Sequence, residues 1–140
     1  VEIRNNRMVI SLPGDVLFDS GKETLKKEGK EILGQVAGVI RADGELLKRY
    51  YQVAGHTDNK AYAGVFRDNW GLSLMRAREV LLYLVDDAQM PAPKWSAAGF
   101  GDTDPVAKND TDGGRQKNRR GDLIVVPSVE EMLDLKSIAQ

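Results

Sequence analysis

Two segments decide the fold of this chain: VAGHTD at residues 53–58 and NWGLSLMRA at residues 69–77. The first segment continues Tyr50-Tyr51-Gln52, and this mixture of aromatic and β-branched residues favours a half-buried strand. Gly55 is predicted to end that strand and to let the backbone turn sharply. In the second segment Asn69 is a suitable N-cap, and apolar residues then recur at helical spacing. The two segments therefore predict a strand, a loop and a helix in succession.

The loop and the helix each carry one charged residue of interest. Asp58 follows the strand, and Arg76 lies in the first turns of the helix. A carboxylate and a guanidinium held a short way apart can bind a zwitterion, because each makes charge-assisted hydrogen bonds to the opposite charge. Equally, the two side chains can pair with each other as a structural salt bridge. The residues alone leave both interpretations open.

Composition limits the function classes. The chain has 140 residues, a formal net charge of −1 and no cysteine. This length predicts one domain that can bury an ordinary core. The charge balance gives no reason to expect nucleic acid as a partner, and the absence of cysteine excludes disulfides and thiolate sites. Because no signal peptide or membrane-spanning run is present, we expect any export signal or membrane anchor to lie outside this fragment.

The first third of the chain predicts a strand, a turn at Asn5-Asn6, a second strand and a helix. Ser20 and Glu23 have the spacing of a capping box, which predicts that the helix begins there. Its expected end is Asp43-Gly44. The predicted apolar stripe of this helix comprises Leu25, Ile32, Val36, Val39 and Ile40.

After the second helix we predict a short strand at 95–98, a long loop at 99–120 and a buried central strand at 123–126. Ser128 and Glu131 suggest a short C-terminal helix. The expected organisation is a domain over residues 1–127 and a helical extension over 128–140. The expected fold is an α/β two-layer sandwich, with two main helices on one face of a mixed sheet.

Other signals do not predict a catalytic or metal site. His56 is the single histidine, without nearby ligands at metal spacing, so we expect it to make an orienting hydrogen bond in its loop. No nucleophile elbow accompanies Ser73, and we expect no enzymatic activity, cofactor or bound metal. In the basic run 115–120 no aromatic residue is available for base stacking. We expect at least one of its arginines to pair with an acidic residue instead.

Four motifs in order resemble the OmpA-like (OmpA/MotB) peptidoglycan-binding domain family. They are GHTDN at 55–59, NWGLSLMRA at 69–77, GFGDTDP at 99–105 and GRQKNRR at 114–120. The segment LPGDVLFDSG at 12–21 resembles the opening of the family. The similarity covers nearly the whole chain.

The resemblance implies non-covalent binding of peptidoglycan through the meso-diaminopimelate of its stem peptide. Asp58 would accept from the ammonium group of diaminopimelate, and Arg76 would donate to its carboxylate. By their motif positions, the other residues expected to line the site are Phe18, Asp19, Thr57, Asn69 and Leu72. The loop at 60–68 is longer than usual for the family, and its apolar residues predict packing over the site, with Phe66 contributing to binding.

The resemblance also implies a periplasmic domain attached to the inner or outer membrane. The segment at 69–73 and the longer loop are more similar to the flagellar-motor stator branch than to outer-membrane tethers. An assembly module with only protein partners remains an alternative, favoured if Asp58 and Arg76 prove to be paired without an open pocket. The sequence leaves homodimerisation open.

Overall fold

The computed structural model describes residues 2–4 and 7–127 of the chain. Helices and strands follow one another along these residues in this order: β1 (Glu2–Arg4), β2 (Arg7–Pro13), α1 (Gly14–Leu17), α2 (Lys27–Ala42), α3 (Gly44–Leu47), β3 (Tyr50–His56), α4 (Asn69–Leu82), β4 (Trp95–Gly99), α5 (Asp112–Asn118) and β5 (Arg120–Val126). A π-helical turn continues α4, and a short 3₁₀ turn precedes β4.

The sheet has the strand order β1-β2-β5-β3-β4. Its one parallel pair is β3 with β4, and the other pairs are antiparallel. The central strand is therefore β5, the last strand of the chain, and its residues 120–125 are all buried. This arrangement confirms the prediction of a central strand, which begins three residues earlier than its apolar run.

One face of the sheet packs against α2 and α4, and this layer holds the main core. Alternate strand residues face the helices, including Tyr51, Val53, Leu123 and Val125. Each large apolar side chain buried in this layer contributes about 1.5–3 kcal/mol to stability. A smaller cluster on the opposite face contains Val9, Ala54 and Ile124. The two-layer α/β sandwich is thus confirmed.

The buried stripe of α2 differs from the predicted one. Leu33, Ala37 and Ile40 are buried at helical spacing, whereas Val39 is 65% exposed. Gly29 belongs to the same stripe, and a Cβ there would lie 2.9 Å from the Cα of Leu17. Glycine at this position allows α1 and α2 to pack closely.

The capping box predicted at Ser20 and Glu23 is wrong. Helix α2 begins at Lys27, and the side chain of its N-cap residue, Lys26, makes no capping hydrogen bond. The preceding residues form a loop closed by an isolated bridge between Phe18 and Leu25. Tertiary contacts override the local signal here, because the loop supplies backbone carbonyls to an arginine of α4, as described below.

The predicted long loop at 99–120 contains a helix, α5, which the sequence analysis missed. Thr111 caps it by accepting a hydrogen bond from Gly114 N at 3.0 Å. Asn118, fully buried, accepts from Val106 N and Ala107 N at 2.8 and 3.0 Å. This one amide group thereby holds the loop against α5. The predicted C-terminal helix lies outside the described residues.

Candidate functional site

The segment after β3 is fixed by its backbone contacts. Thr57 N donates to Gly101 O at 2.8 Å, and Thr57 Oγ1 donates to Asp58 O at 2.9 Å. Gly55 does not end the strand as predicted, since β3 continues to His56. Glycine is required there because a Cβ would collide with the Ser73 carbonyl of α4. The close approach of β3 and α4 brings Asp58 beside that helix.

Helix α4 presents Asn69, Leu72 and Arg76 on one face, because residues three and four apart are neighbours on a helix. Its N-cap is Asp68, one residue before the predicted Asn69, and Asp68 Oδ1 accepts from Gly71 N at 2.9 Å. Asn69 is instead free to donate from Nδ2 to Lys60 O at 2.9 Å. Asp68 therefore caps the helix, whereas Asn69 lines the site.

Arg76 is only 8% exposed, and its guanidinium bonds to backbone rather than to acid. Nε donates to Lys22 O at 2.7 Å, and Nη2 donates to Asp19 O at 3.0 Å. The guanidinium also lies over the Phe18 ring, 4.9 Å from its centroid. Within the described residues, no carboxylate oxygen comes within 4.0 Å of it. Burial lowers the pKa of Arg76 from its ordinary value.

Arg76 and Asp58 line one cavity of about 520 Å³, which we call the Arg76 cavity. The structure brings all seven residues predicted for the site to its wall. The complete lining comprises Asp15, Phe18, Asp19, Ser20, Gly21, Lys26, Thr57, Asp58, Lys60, Ala61, Tyr62, Asn69, Leu72, Arg76 and Arg119. Both charge signs are represented, and the apolar part of the wall comes chiefly from Phe18, Leu72 and Tyr62.

Asp58 is paired, but with Arg119 rather than with Arg76. Its Oδ2 accepts from Arg119 Nη1 at 2.7 Å, and its Oδ1 accepts from Lys60 N at 2.9 Å. Arg119 also donates two hydrogen bonds to Asp15, both at 3.1 Å. These bonds, first of all those to Asp15, raise the pKa of Arg119 above its ordinary value. The expected acidic partner of the basic run is thus confirmed.

Several charged lining residues were missed by the sequence analysis, namely Asp15, Lys26, Lys60 and Arg119. Asp15 lies inside the family-like opening segment, and Arg119 lies inside the GRQKNRR motif. Membership of these motifs was the available indication that both residues belong to the site. Their contact joins residues 104 positions apart. Spacing along the chain cannot reveal such a pair, because only the sheet register brings the two segments together.

The loop at 60–68 contributes differently from the prediction. Lys60, Ala61 and Tyr62 line the Arg76 cavity, whereas Phe66 is half-buried and does not. Tyr62 Oη accepts from Phe66 N at 3.3 Å, which closes the loop on itself. Val65 is 82% exposed. The aromatic residue at the site is therefore Tyr62.

A second cavity, of about 570 Å³, lies on the face of the sheet opposite the helices. We call it the His56 cavity. His56 Nε2 lies 3.6 Å from Asp122 Oδ2, and Arg120 Nε donates to the same oxygen at 3.1 Å. The imidazole also stacks on Phe100, with 5.2 Å between ring centroids. The charged neighbour of His56 is therefore on β5 of the sheet.

The described residues contain neither a metal-binding cluster nor a helix suited to span a membrane. No group of three or more His, Cys, Asp or Glu side chains is arranged to hold a metal ion. In the same part of the chain, no helix has both the length and the apolar character that a bilayer crossing requires.

Comparison with known proteins places this geometry in a family. The OmpA family model matches residues 17–119. Motility protein B of Bacillus subtilis (strain 168) is 34% identical over 121 residues, which make up 86% of this chain and 45% of that protein. Outer membrane protein A of Escherichia fergusonii is 36% identical over 111 residues, 76% of this chain and 42% of that protein. The chain thus spans about half the length of these curated relatives.

Solved structures agree on the fold. The cell wall anchor of the T6SS from Pseudomonas aeruginosa is 34% identical, with a TM-score of 0.77 over 87% of this chain and 82% of that one. The periplasmic domain of Helicobacter pylori MotB has a TM-score of 0.82 over 97% of this chain and 86% of that one. Because the second structure is only 21% identical, its likeness concerns the fold alone.

Proposed function

The chain belongs to the OmpA family, and from that premise we propose that it binds peptidoglycan non-covalently and anchors a membrane protein or complex to the cell wall. The ligand is the meso-diaminopimelate of the stem peptide. Its side-chain end carries an ammonium and a carboxylate on one carbon. The Arg76 cavity offers a matching pair of opposite charges, Asp58 and Arg76.

One observation carries the proposal: Arg76 is buried at the cavity wall without a carboxylate partner within the described part of the chain. Removing a guanidinium from water is costly unless an anion compensates it. Two of its nitrogens are occupied by carbonyl oxygens, and no hydrogen bond to a described residue involves Nη1. A ligand carboxylate can therefore take Nη1 and supply the missing negative charge.

Asp58 retains capacity for the ammonium group. An ionised carboxylate offers about four lone-pair sites, and two of them accept from Arg119 and Lys60. Asp58 is 7% exposed, so a further charge-assisted hydrogen bond there is shielded from water. Phe18 and Leu72, both buried at the wall, would contact the aliphatic chain of the ligand.

Thr57 and Asn69 would act mainly through the shape of the loop. Thr57 fixes the backbone of Asp58, and Asn69 holds the carbonyl of Lys60. Asp19 belongs to the site through its backbone, because its carbonyl orients Arg76. None of these roles involves bond making or breaking, so we propose binding without catalysis.

Ligand discrimination tests the proposal. Lysine-type stems carry the ammonium but lack the neighbouring carboxylate, so they would leave Arg76 unpaired. An unpaired buried charge costs on the order of 2–5 kcal/mol, which corresponds to ~30-fold or more in affinity. Titration calorimetry with the two muropeptides should show this preference, and Arg76→Ala should narrow it. Equal affinity of the unmutated protein for both ligands would contradict the mechanism.

Sedimentation with isolated sacculi tests the broader function. Purified protein should sediment with diaminopimelate-type sacculi and remain soluble without them. Failure to sediment would favour the alternative of an assembly module with protein partners only. We further propose a periplasmic location with attachment to the inner or outer membrane, and a greater similarity to the stator branch of the family than to outer-membrane tethers. The sequence of the complete protein would distinguish a stator-like transmembrane anchor from a lipid anchor.

A further inference from the structure

We propose that Asp15 is a positioning residue for cation binding in the Arg76 cavity, acting through Arg119 to leave Asp58 available to an ammonium group. This inference rests on the proposed function and names a residue that sets its affinity. Asp15 engages Arg119 with two hydrogen bonds, and Asp58 engages the same guanidinium with one. Arg119 is therefore shared between two acids.

Asp15, Arg119 and Asp58 form a triad, and its net charge explains why Asp15 affects cation binding. Two carboxylates and one guanidinium leave one net negative charge at the wall of the cavity. Without Asp15, the pair of Asp58 and Arg119 would be neutral, and it would attract a ligand ammonium only weakly. With Asp15 present, the guanidinium is already compensated, and Asp58 keeps its charge for the ligand.

The hydrogen bonds of Arg119 support the view that Asp15 compensates the guanidinium and leaves Asp58 to the ligand. Asp15 takes the Nε and Nη2 edge of the guanidinium with both carboxylate oxygens, a bidentate arrangement that fixes its plane. Asp58 takes only Nη1, through Oδ2. The pKa of Arg119 is raised, chiefly by its hydrogen bonds to Asp15, which agrees with a stronger interaction with Asp15 than with Asp58.

The neighbouring lysines do not replace this arrangement. Lys26 Nζ donates to the backbone oxygen of Asp15 and lies 3.8 Å from Glu28, so its charge is directed away from Asp58. Lys60 contacts Asp58 through its backbone N–H. Among described side chains, Arg119 is the cation within 4.0 Å of Asp58.

The test is a charge-rescue experiment with a diaminopimelate muropeptide as the probe. Asp15→Asn should lower affinity about tenfold, an effect typical of removing one charge at close range. Adding Arg119→Gln to this variant removes the competing cation, restores the net negative charge and should recover most of the loss. Glu79→Gln is the matched control, because it removes a carboxylate that pairs with Arg78 away from the cavity.

An acetylated ligand and the outcomes of the two variants distinguish a charge effect of Asp15 from a structural one. A muropeptide acetylated on the side-chain amine should bind the unmutated protein and Asp15→Asn with equal, weak affinity, because it has no ammonium. Unchanged affinity of Asp15→Asn for the free amine would overturn the inference and leave the proposed function standing. Failure of Arg119→Gln to rescue would also overturn it, since Arg119 would then hold the loop or touch the ligand itself. No binding by the unmutated protein would overturn both proposals.

Discussion

The Arg76 cavity has a buried arginine in its wall, and the His56 cavity has a buried arginine beside it, hydrogen-bonded to Asp122 of its lining. The two arginines differ in how their charge is compensated. Arg120, 4% exposed, meets Asp122 at 3.1 Å on the same strand. Arg76, 8% exposed, meets two backbone carbonyls and no acid within the described residues. The guanidinium beside the His56 cavity is thus paired with a carboxylate, whereas the Arg76 guanidinium has no carboxylate partner among the described residues. The smaller of the two cavities is therefore the better candidate for binding, on grounds of charge rather than size.

The contrast between Arg120 and Arg76 also predicts different roles, one in stability and one in ligand recognition. A buried ion pair is weak evidence for net stabilisation, but removing one partner leaves an uncompensated charge. Arg120 should therefore matter for folding. Arg76 should matter for the ligand, because in the proposed complex a ligand carboxylate compensates its charge. Four substitutions test this division.

The largest expected effect is on folding, from Arg120→Met. It leaves the Asp122 carboxylate buried without its guanidinium and should lower the free energy of unfolding by about 3–5 kcal/mol. Urea unfolding measures this loss. Adding Asp122→Leu removes the buried carboxylate as well and should restore much of the stability. An unchanged transition in Arg120→Met would show that the pair has no structural importance.

Arg76→Met should produce the converse result. Affinity for the diaminopimelate muropeptide should fall by ~30-fold or more, as for other unpaired interfacial charges. Stability should change by only about 1 kcal/mol, because the two freed carbonyls belong to exposed residues, Asp19 and Lys22, and can bond to water. Calorimetry and urea unfolding on the same sample separate the two effects. A large loss of stability with intact binding would reverse the assigned roles.

Gly55→Ala tests whether the Arg76 cavity depends on the close approach of β3 and α4. The added methyl would collide with the Ser73 carbonyl, and overpacking of this kind costs about 1–3 kcal/mol. Affinity should fall together with stability, because Asp58 directly follows β3, Arg76 lies on α4, and these two elements would be pushed apart. Gly38→Ala is the control, since its Cβ would meet nothing within 4 Å. That change should stabilise α2 by about 0.5–1 kcal/mol without altering affinity.

The smallest expected effect concerns the loop at 60–68. Tyr62→Ala removes an aromatic wall of the Arg76 cavity and should weaken binding by about threefold, with stability nearly unchanged. Val65→Ser alters the same loop at a residue that is 82% exposed and does not line the cavity. It should have no effect on affinity. Equal effects of the two variants would show that the loop acts by its general packing rather than through Tyr62.

The sequence predicts the elements that have strong local patterns. The strand period around Met8, the apolar run at Leu123 and the helical spacing after Asn69 place two strands and a helix where the structure has them. The order of the motifs also predicts that Asp58 and Arg76 share one site, and both residues line the Arg76 cavity. Local signals failed where a distant contact decides, as at Ser20, where Arg76 draws the loop carbonyls to itself.

The pairing of Asp58 is the clearest limit of such prediction. Sequence spacing offers Arg76 as the obvious partner, yet the structure gives Asp58 to Arg119. The antiparallel register of β5 against β2 and β3 sets this choice, because it places Arg120 opposite both Pro13 and His56. The preceding residue, Arg119, then lies between Asp15 and Asp58. Pairwise register between distant strands is not encoded in any single motif.

The same register has a mechanical consequence. The Arg76 cavity lies beyond the end of β3 where His56 faces Arg120, whereas Met8 and Tyr50 face Val125 and Val126 at the other end of the sheet. A force between a ligand in the cavity and the opposite ends of β2 and β3 would therefore run along the strands. Their hydrogen bonds lie across that direction, so they would be loaded together in shear instead of opening one after another. The sheet therefore resists a pull along its strands better than a pull across them.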